Sequence, residues 1–358
     1  MSELSRRQLL LSLPALAMAP RAFAQAGDPP IRARALNHMT LSVSDPKRSV
    51  EFYQGLFGMP IQARQGATTL LRMGSGPQFL AISATAANAP PAINHFCLTV
   101  DGFNVDRIVK TLADRGVTRR DAAAAGNAGG GGSNGGPMTL RVRMRGPDAG
   151  GAKEGTPELY LSDPDGIVVQ LQDVSYCGGA GVLGNVCPTI EPSPKKGLLA
   201  VRDLSHFTIF STDAQRSNKF YQDLFGFPIR SYQGPTAPTL AVGPTVQFLM
   251  FTGGGAPARG SAPPRPASIN HVCMNMDGFD PDKILKTLET YGIKPRGNAP
   301  GPAAPLTSYV SMRMENRGGA PEGTPELYFT DPDGILIQLQ DVSYCGGGGH
   351  LGDVCPKL

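Results

Sequence analysis

Histidine is rare in this chain, and its positions follow a pattern. The 358 residues contain five histidines. Four of them open apolar, strand-like segments: His38, His95, His206 and His271. A single histidine on a strand is usually structural, whereas four at equivalent places favour a shared use of the imidazole nitrogen, of which metal binding is the commonest. We therefore predict a metal role for these four residues.

The strands that these histidines open alternate polar and apolar side chains. In segment 38–43 the histidine shares a face with two hydroxyl residues, and the other face is apolar. Segment 158–161 places an acid and a phenol opposite two leucines. We expect the apolar faces to pack on helices and the polar faces to line a cleft. The acid and phenol positions on the polar faces are Glu158, Tyr160, Glu326 and Tyr328.

Long stretches of the chain occur twice. The repeated stretches are 45–58 with 213–226, 154–160 with 322–328, and 170–177 with an identical 338–345. The two copies differ in length within the Gly-, Pro- and Ala-rich segments 121–137 and 253–268, as loops around a constant core would. The predicted domain boundaries are 34–178 for the first domain, 191–201 for a linker and 202–346 for the second domain.

Each copy contains two similar units. Every unit opens with a strand that is followed by a helix, and the predicted helices are 45–57, 105–115, 213–225 and 281–291. Asp45 and Asp213 are suited to cap two of these helices, and Gly58 and Gly226 to end them. Short apolar strands such as 78–82 and 166–171 follow. The sequence thus predicts an α+β fold with the order βαβββ four times.

The N-terminus predicts export. Arg6 and Arg7 precede an apolar stretch that ends near Ala19, and Ala22-Phe23-Ala24 fits a cleavage site. Residues 1–24 are therefore interpreted as a twin-arginine signal peptide, with an ordinary secretory signal as the alternative. The apolar stretch is too short for a stable membrane span. We expect a periplasmic or secreted protein that meets the twin-arginine export machinery.

The cysteines and the charge agree with that compartment. Cys177 and Cys187 bracket one Gly-rich turn, and Cys345 and Cys355 bracket its counterpart, so each pair is a candidate disulfide. Two further cysteines, at 97 and 273, lie within apolar strands and are expected to be unpaired and buried. The formal net charge is only +4, without a basic run, which excludes nucleic acid as a partner. A small molecule is the expected partner, and the sequence leaves the oligomeric state open.

Three phrases of the sequence point to a family. His-x-x-x-x-Val, Asp-x-x-x-Ser-x-x-Phe-Tyr-x-x-x-x-Gly and Asp-Pro-Asp-Gly resemble the vicinal oxygen chelate superfamily, which includes glyoxalases, extradiol dioxygenases and fosfomycin or bleomycin resistance proteins. The resemblance covers both copies. It implies four βαβββ modules paired into two domains, each with a curled mixed sheet around a divalent metal. It says little about the reaction, because one fold hosts many chemistries.

The resemblance also implies the metal ligands. The first-strand positions fall on the four histidines, and the last-strand positions on Gln170 and Gln338, four residues after the Gly of each Asp-Pro-Asp-Gly. The family usually has Glu there, and two His with one carboxylate suit non-haem Fe(II). A neutral amide brings no charge, so metal affinity should fall and metal choice becomes wider. Fe2+ is expected first, with Mn2+, Ni2+ or Zn2+ as alternatives.

Three functions remain open from the sequence. An extradiol-like dioxygenase would use the three-ligand site, with Tyr160 and Tyr328 contacting substrate oxygens. A glyoxalase-like isomerase or lyase would need Glu158 and Glu326 as proton shuttles, and those acids are also candidate replacement ligands or groups that orient a histidine. A non-catalytic protein would only bind a small molecule, as in resistance or sequestration. We expect the dioxygenase-like enzyme, acting on a small aromatic or vicinal-oxygen compound.

Overall fold

The computed structural model describes five stretches of the chain: residues 28–120, 136–187, 190–253, 266–297 and 303–358. The predicted signal peptide lies outside these stretches, as do most of the two Gly-, Pro- and Ala-rich segments. In the described stretches no helix is long and apolar enough to cross a membrane.

The described residues of the first copy form nine strands and two α-helices. They are β1 Ala33–Val43, α1 Pro46–Phe57, β2 Ile61–Gln65, β3 Thr68–Arg72, β4 Phe79–Ala84, β5 Ala92–Val100, α2 Val105–Ala113, β6 Thr118–Arg119, β7 Thr139–Arg145, β8 Thr156–Ser162 and β9 Val168–Asp173. The predicted α+β order is confirmed, with one addition. The second unit carries an extra two-residue strand, β6, between its helix and its three longer strands.

The second copy repeats this order. Its elements are β10 Val201–Phe210, α3 Ala214–Phe225, β11 Ile229–Tyr232, β12 Pro238–Ala241, β13 Phe248–Thr252, β14 Ser268–Met276, α4 Pro281–Thr290, β15 Lys294–Pro295, β16 Thr307–Arg313, β17 Thr324–Thr330 and β18 Leu336–Asp341. The short β15 corresponds to β6.

The ends of α1 and α3 form as their sequences predict. The Asp45 side chain accepts a hydrogen bond from the backbone N–H of Arg48, and Asp213 does the same at α3. Both helices stop at a glycine in the left-handed region, with φ of 67° at Gly58 and 68° at Gly226. These caps fix where each opening strand turns into its helix.

Sheet topology brings the opening strands together. In the first copy the strand order is β2-β3-β4-β1-β5-β9-β8-β7-β6, and the second sheet has the equivalent order. β1 runs antiparallel to β5, and β5 runs parallel to β9. The two opening strands are therefore neighbours in the middle of the sheet, with the last strand of the second unit beside them. The apolar face of β1, which carries Met39, Leu41 and Val43, is fully buried in the core.

The two copies pack against each other reciprocally. The Tyr53 hydroxyl of α1 donates to Asp331 at 3.1 Å, and the Tyr221 hydroxyl of α3 donates to Asp163 at 3.3 Å. Arginines at the starts of these helices pair at 2.6 Å with the second acid of the opposite Asp-Pro-Asp-Gly turn. Each such turn thus joins one copy to the helix of the other.

Each copy ends in a loop closed by a disulfide. Cys177 is bonded to Cys187, and Cys345 to Cys355. The cysteines at 97 and 273 are free and buried, as the sequence predicts. The first residue of each loop follows an aromatic residue, Tyr176 or Tyr344, whose ring lies next to a predicted metal-binding histidine.

Candidate metal centre

Three predicted ligands meet in the first copy. The Nε2 atoms of His38 on β1 and His95 on β5 each lie 3.1 Å from the Oε1 atom of Gln170 on β9. The two imidazole rings are 5.7 Å apart and nearly perpendicular. All three side chains are almost fully buried. The adjacent central strands therefore bring residues that are 57 to 132 positions apart to a single point.

Two β-bulges shape the histidine environment. On β1, Leu36 and His38 face consecutive residues of β5, so Asn37 is an extra residue in the ladder. Asn94 is extra on β5 in the same way. A bulge interrupts alternation, so a residue and its predecessor can turn to the same side. Each asparagine consequently lies beside the histidine that follows it.

The bulged asparagine determines the tautomer of His38. Its Nδ2 atom donates to the backbone carbonyl of Tyr176 at 3.0 Å, which leaves Oδ1 facing His38 Nδ1 at 2.7 Å. Since Asn37 Oδ1 can only accept, Nδ1 must carry the proton and Nε2 must carry a lone pair. A second partner that orients the ring in this way is typical of metal-binding histidines.

His95 has an equivalent arrangement. Its Nδ1 atom lies 2.9 Å from Asn94 Oδ1, and the Asn94 amide donates to the Ser42 hydroxyl at 3.2 Å. The Thr40 hydroxyl lies 3.2 Å from the other ring nitrogen, Nε2. The two histidines thus present their Nε2 lone pairs to the same amide.

The donor set fits a divalent cation. Two imidazole lone pairs and an amide oxygen converge, and all three are electron-pair donors. Such groups repel one another unless an electropositive partner, such as a cation, lies between them. The Gln170 Nε2 atom has no hydrogen-bond partner among the described residues. If the amide were reversed, its oxygen would be left unpartnered instead. The described residues contain no group of three or more His, Cys, Asp or Glu able to hold a metal, so a site here would use the amide as its third ligand.

Burial keeps the histidines neutral. It lowers the pKa of His38 well below its usual value, and the neighbouring His95 adds to that effect. Burial also lowers the pKa of His95 to about 4; its contact with Gln170 opposes this, and the charges of Arg141 and Arg143 assist it. At neutral pH both rings are therefore uncharged, the form that binds metal.

The second copy presents the same ligands with one change. His206, His271 and Gln338 occupy the equivalent strands, and the two rings are 5.6 Å apart. Ser205 stands where the first copy has an asparagine, and its hydroxyl lies 3.1 Å from His206 Nδ1.

Orphaned polar atoms mark this second site too. Within the described residues, neither polar atom of the Gln338 amide has a partner, nor has His271 Nε2, although all are buried. Unpartnered buried polar atoms cost free energy, and a bound cation would satisfy the oxygen and the nitrogen. This site therefore fits a divalent cation as well.

The acids of the two clefts are already paired. Glu158 is fully buried, and its Oε1 atom accepts from Arg145 Nε at 2.6 Å and from the Tyr176 hydroxyl at 3.1 Å. The Tyr160 hydroxyl donates to the other carboxylate oxygen at 3.2 Å. Glu326 has the same partners in the second copy, with Arg313 at 2.8 Å and the hydroxyls of Tyr344 and Tyr328 at 3.0 and 3.4 Å.

A cavity of about 780 Å³ opens beside the first site. Its lining includes His38, His95 and Gln170, together with Tyr160 and Arg143. Burial and the charge of Glu158 raise the pKa of Tyr160 well above its usual value, so its phenol stays protonated. The cavity is large enough for a small aromatic molecule next to the three ligands.

Comparison with known proteins identifies the family. The sequence profile of the Glyoxalase/Bleomycin resistance protein/Dioxygenase superfamily matches residues 35–171 and 203–339. The chain belongs to this superfamily. Each match ends just after the glutamine of its copy, so both copies match the superfamily.

Individual relatives are distant. Over 88 residues the chain is 31% identical to glutathione transferase FosA of Serratia marcescens, a match that covers 24% of this chain and 62% of that protein. The Mn(II)-bound glyoxalase of Novosphingobium aromaticivorans has a similar fold, with 16% identity, a TM-score of 0.51, and coverage of 86% of this chain and 82% of the other.

Extradiol enzymes share the same fold. Homoprotocatechuate 2,3-dioxygenase of Brevibacterium fuscum, solved with 3,4-dihydroxyphenylacetate, is 19% identical, with a TM-score of 0.55 and coverage of 88% and 83%. The enzyme from Arthrobacter globiformis is 18% identical, with a TM-score of 0.53 and coverage of 87% and 80%. At these identities the likeness establishes the fold of the superfamily and leaves the reaction to be inferred from the site.

Several residues of the site escaped the sequence analysis. The predecessors of the four histidines were missed because strict alternation puts them on the opposite face. Their residue types could have indicated a contact with the histidines, since each of the four can form hydrogen bonds: Asn37, Asn94, Ser205 and Asn270. Phe79 and Phe248, which stack on His38 and His206 at 4.2 and 4.3 Å, gave no such signal, since strand phenylalanines usually belong to a core.

Proposed function

We propose that the protein is an exported, divalent-metal-dependent enzyme resembling extradiol-type dioxygenases, acting on a small aromatic or vicinal-oxygen compound. One observation carries the proposal: two histidines and a glutamine converge in both copies, each histidine with Nδ1 beside an acceptor. His38, His95 and Gln170 would hold the ion in the first copy, and His206, His271 and Gln338 in the second. Export rests on the predicted signal peptide.

A bound divalent ion would supply Lewis-acid chemistry, polarising two neighbouring oxygens of a chelated substrate. Three protein ligands leave its remaining positions open. Asn37 keeps the proton of His38 on Nδ1, so that Nε2 remains a ligand. The Tyr160 phenol lines the cavity and directs its proton to Glu158, so its oxygen can accept a hydrogen bond from a substrate hydroxyl. Fe2+ is the expected metal, with Mn2+, Ni2+ and Zn2+ as alternatives.

The proposal is tested by metal content. Protein isolated after export should contain up to two equivalents of Fe, Mn, Ni or Zn per chain by inductively coupled plasma mass spectrometry. The double variant His38→Ala/His206→Ala should lose metal from both copies. His350→Ala is the matched control, because the fifth histidine is exposed and lies outside both sites. Metal retained by the double variant would show that the ligand assignment is wrong.

A dioxygenase is favoured over an isomerase by the state of the acids. An isomerase or lyase needs a carboxylate that shuttles protons beside the metal. Glu158 is instead paired with Arg145 and is not part of the cavity lining. Oxygen consumption with catechol and 4-methylcatechol, followed with an oxygen electrode, distinguishes the reactions. Metal without oxygen uptake favours an isomerase, and absence of metal above background favours a binding protein.

A further inference from the structure

The two clefts differ in charge. On β7 of the first copy, Arg141 pairs with Tyr160 and Arg143 with Glu158 across the ladder to β8. The equivalent positions of the second copy hold Tyr309 and Ser311, which pair with Tyr328 and Glu326. The strands and their register are otherwise the same. Two guanidinium groups therefore distinguish the first cleft from the second.

Arg141 is an unpartnered buried cation. It is only 7% exposed, and its Nε and Nη2 atoms have no hydrogen-bond partner among the described residues. Its guanidinium carbon lies 5.0 Å from the centre of the Tyr160 ring, and that ring lines the cavity. A cation–π contact compensates part of the desolvation, but the N–H donors remain unused. Arg141 is not among the described residues that line the cavity, so it attracts an anion there by its charge and not by direct contact.

Arg143 adds a second cation at the cavity wall. It is the one charged residue among the described residues that line this cavity. Its Nε atom lies 3.7 Å from Glu158 Oε2, too far for a hydrogen bond, and Glu158 already pairs with Arg145 at 2.6 Å. One carboxylate thus faces two guanidinium groups, and a third, that of Arg141, lies over the neighbouring Tyr160 ring.

The metal ligands do not reduce this positive charge. A histidine binds a metal through a nitrogen lone pair and so as a neutral ligand, and glutamine is neutral as well. A divalent ion bound by them would keep its full charge, and the arginines near it add to the local potential. Negative charge on the bound ligand is therefore favoured.

The described residues of the second copy lack this excess. Glu326 pairs with Arg313 at 2.8 Å, which balances its charge. The Tyr309 ring stacks on Tyr328 at 5.1 Å, and the Arg296 guanidinium lies over Tyr309 at 5.3 Å. Two rings, those of Tyr309 and Tyr328, therefore lie between Arg296 and His271. In the first copy a single ring, that of Tyr160, lies between Arg141 and His95. Tyrosine and serine offer neutral hydrogen-bonding groups in place of cations.

We propose that the first cleft selects a chelating ligand that also carries an anionic oxygen group, a carboxylate or a phosphonate, which Arg143 binds and the charge of Arg141 attracts. The second copy, which has Tyr309 and Ser311 at these positions, has no such preference. The planar N–H donors of arginine match the paired oxygens of such anions. This selection rests on the proposed metal-dependent function, and the two copies then divide the substrate range between them.

Exchanging the differing residues between copies tests the selection. Isothermal titration of the metal-loaded full chain with 3,4-dihydroxybenzoate should show one tight site per chain, whereas 4-methylcatechol should not distinguish the copies. In Arg141→Tyr/Arg143→Ser, which installs the residues of the second copy, the affinity of the tight site should fall at least tenfold. The reverse exchange, Tyr309→Arg/Ser311→Arg, should create a second tight site. Arg115→Ala removes an exposed guanidinium just after the end of α2 and should change nothing.

The controls separate misfolding from lost recognition. Arg141→Lys/Arg143→Lys keeps both charges and should retain part of the preference for the acid, and the thermal midpoint of each variant reports its fold. Unchanged affinity for 3,4-dihydroxybenzoate in a folded Arg141→Tyr/Arg143→Ser variant overturns the proposal. Phenylphosphonate as a competitor of 3,4-dihydroxybenzoate shows whether phosphonate oxygens are accepted as well as carboxylate.

Chelator-treated protein separates this proposal from the metal-dependent function. If the metal site is wrong and the arginine site right, 3,4-dihydroxybenzoate binding survives EDTA and is still lost in Arg141→Tyr/Arg143→Ser. If the metal site is right and the arginine site wrong, EDTA abolishes binding of both catechols, and the arginine variants bind them as the parent chain does.

Discussion

At the scale of single residues, the unusual feature is a neutral amide in the place of the proposed third ligand. Gln170 and Gln338 stand where the resemblance to the superfamily implies a glutamate, and both amides keep an unpartnered polar atom in the described structure. A carboxylate in this buried place would bring one negative charge close to a divalent ion. The proposed ligands carry no charge instead, so we expect metal affinity to depend on how well the histidines are oriented.

Restoring the charge should strengthen metal binding. Gln170→Glu/Gln338→Glu is expected to raise the affinity for Mn2+ or Fe2+ at least tenfold, about 1.4 kcal/mol per site. Without metal the same change should lower the melting temperature, because a carboxylate is then buried beside two neutral rings. Competition with a fluorescent chelator measures the first effect, and thermal unfolding in EDTA the second. Equal affinity in both proteins would contradict an amide ligand.

The bulged asparagine should matter through His38. Asn37→Ala removes the acceptor for the Nδ1 proton and is expected to weaken metal binding in the first copy about 10- to 100-fold. Asn37→Ser is the matched control, because Ser205 contacts His206 at the equivalent position. The serine variant should recover most of the affinity in the same chelator competition. A variant with alanine that binds metal normally would rule out this orienting role.

At the scale of elements, a buried acid joins the last long strands to the disulfide loop. Arg145 on β7 contacts Glu158 on β8 and also donates to the backbone carbonyl of Gly179 at 2.9 Å. The loop in turn follows Tyr176, whose backbone carbonyl holds Asn37. This chain of contacts runs from the loop to a proposed metal ligand, and its part between the acid and the loop repeats in the second copy through Arg313 and Gly347. Glu158 thus contributes to the shape of the site.

Breaking this buried pair should be costly. Arg145→Met removes the hydrogen-bonded partner of the buried Glu158 and leaves only the partly exposed Arg143 at 3.7 Å, so it is expected to reduce the free energy of unfolding by about 3 kcal/mol. Arg145→Met/Glu158→Gln removes both charges and should recover much of that loss. Urea denaturation followed by far-UV circular dichroism compares the variants, and Arg313→Met repeats the test in the second copy. A double variant no more stable than the single one would argue against a charge effect.

At the scale of the whole molecule, the copies are joined through acids held in unusual states. Burial raises the pKa of Asp163 and of Asp331 to about 6, against the opposing effect of backbone hydrogen bonds. Each acid accepts from a tyrosine of the other copy's helix. The reciprocal arrangement resembles a two-fold interface within one chain.

These acids should make stability depend on pH. Between about pH 4 and 6 these two carboxyl groups keep their protons in the folded state and have lost them in the unfolded state. The stability that the bound protons contribute is therefore present at low pH and is lost as the pH rises through about 6. As the pH rises across this range, the free energy of unfolding of Asp163→Asn/Asp331→Asn should therefore increase relative to that of the parent chain, by roughly 2 kcal/mol per site. Urea midpoints at pH 4, 5, 6 and 7 measure the difference. A difference that is constant with pH would contradict the raised pKa values.

Much of this protein could be predicted from its sequence because the information is local and repeated. The helix caps at Asp45 and Gly58, the period-two strands and the disulfide pairs each depend on neighbouring residues. Duplication showed which spacings are constant, and the resemblance to a family then indicated which side chains share a site. The four histidines and two glutamines required no knowledge of the sheet order.

Only the tertiary structure determined how those side chains are held and how the copies differ. Alternation cannot reveal that Asn37 lies beside His38, because a bulge becomes visible only when a strand is paired with its neighbour. The sequence also could not predict that Glu158 pairs with Arg145, or that two nitrogens of Arg141 have no hydrogen-bond partner. Both contacts depend on which residues face each other on neighbouring strands. The sequence thus specified the residues of the site, and the packing of the sheets determined their partners, their protonation and the charge of each cleft.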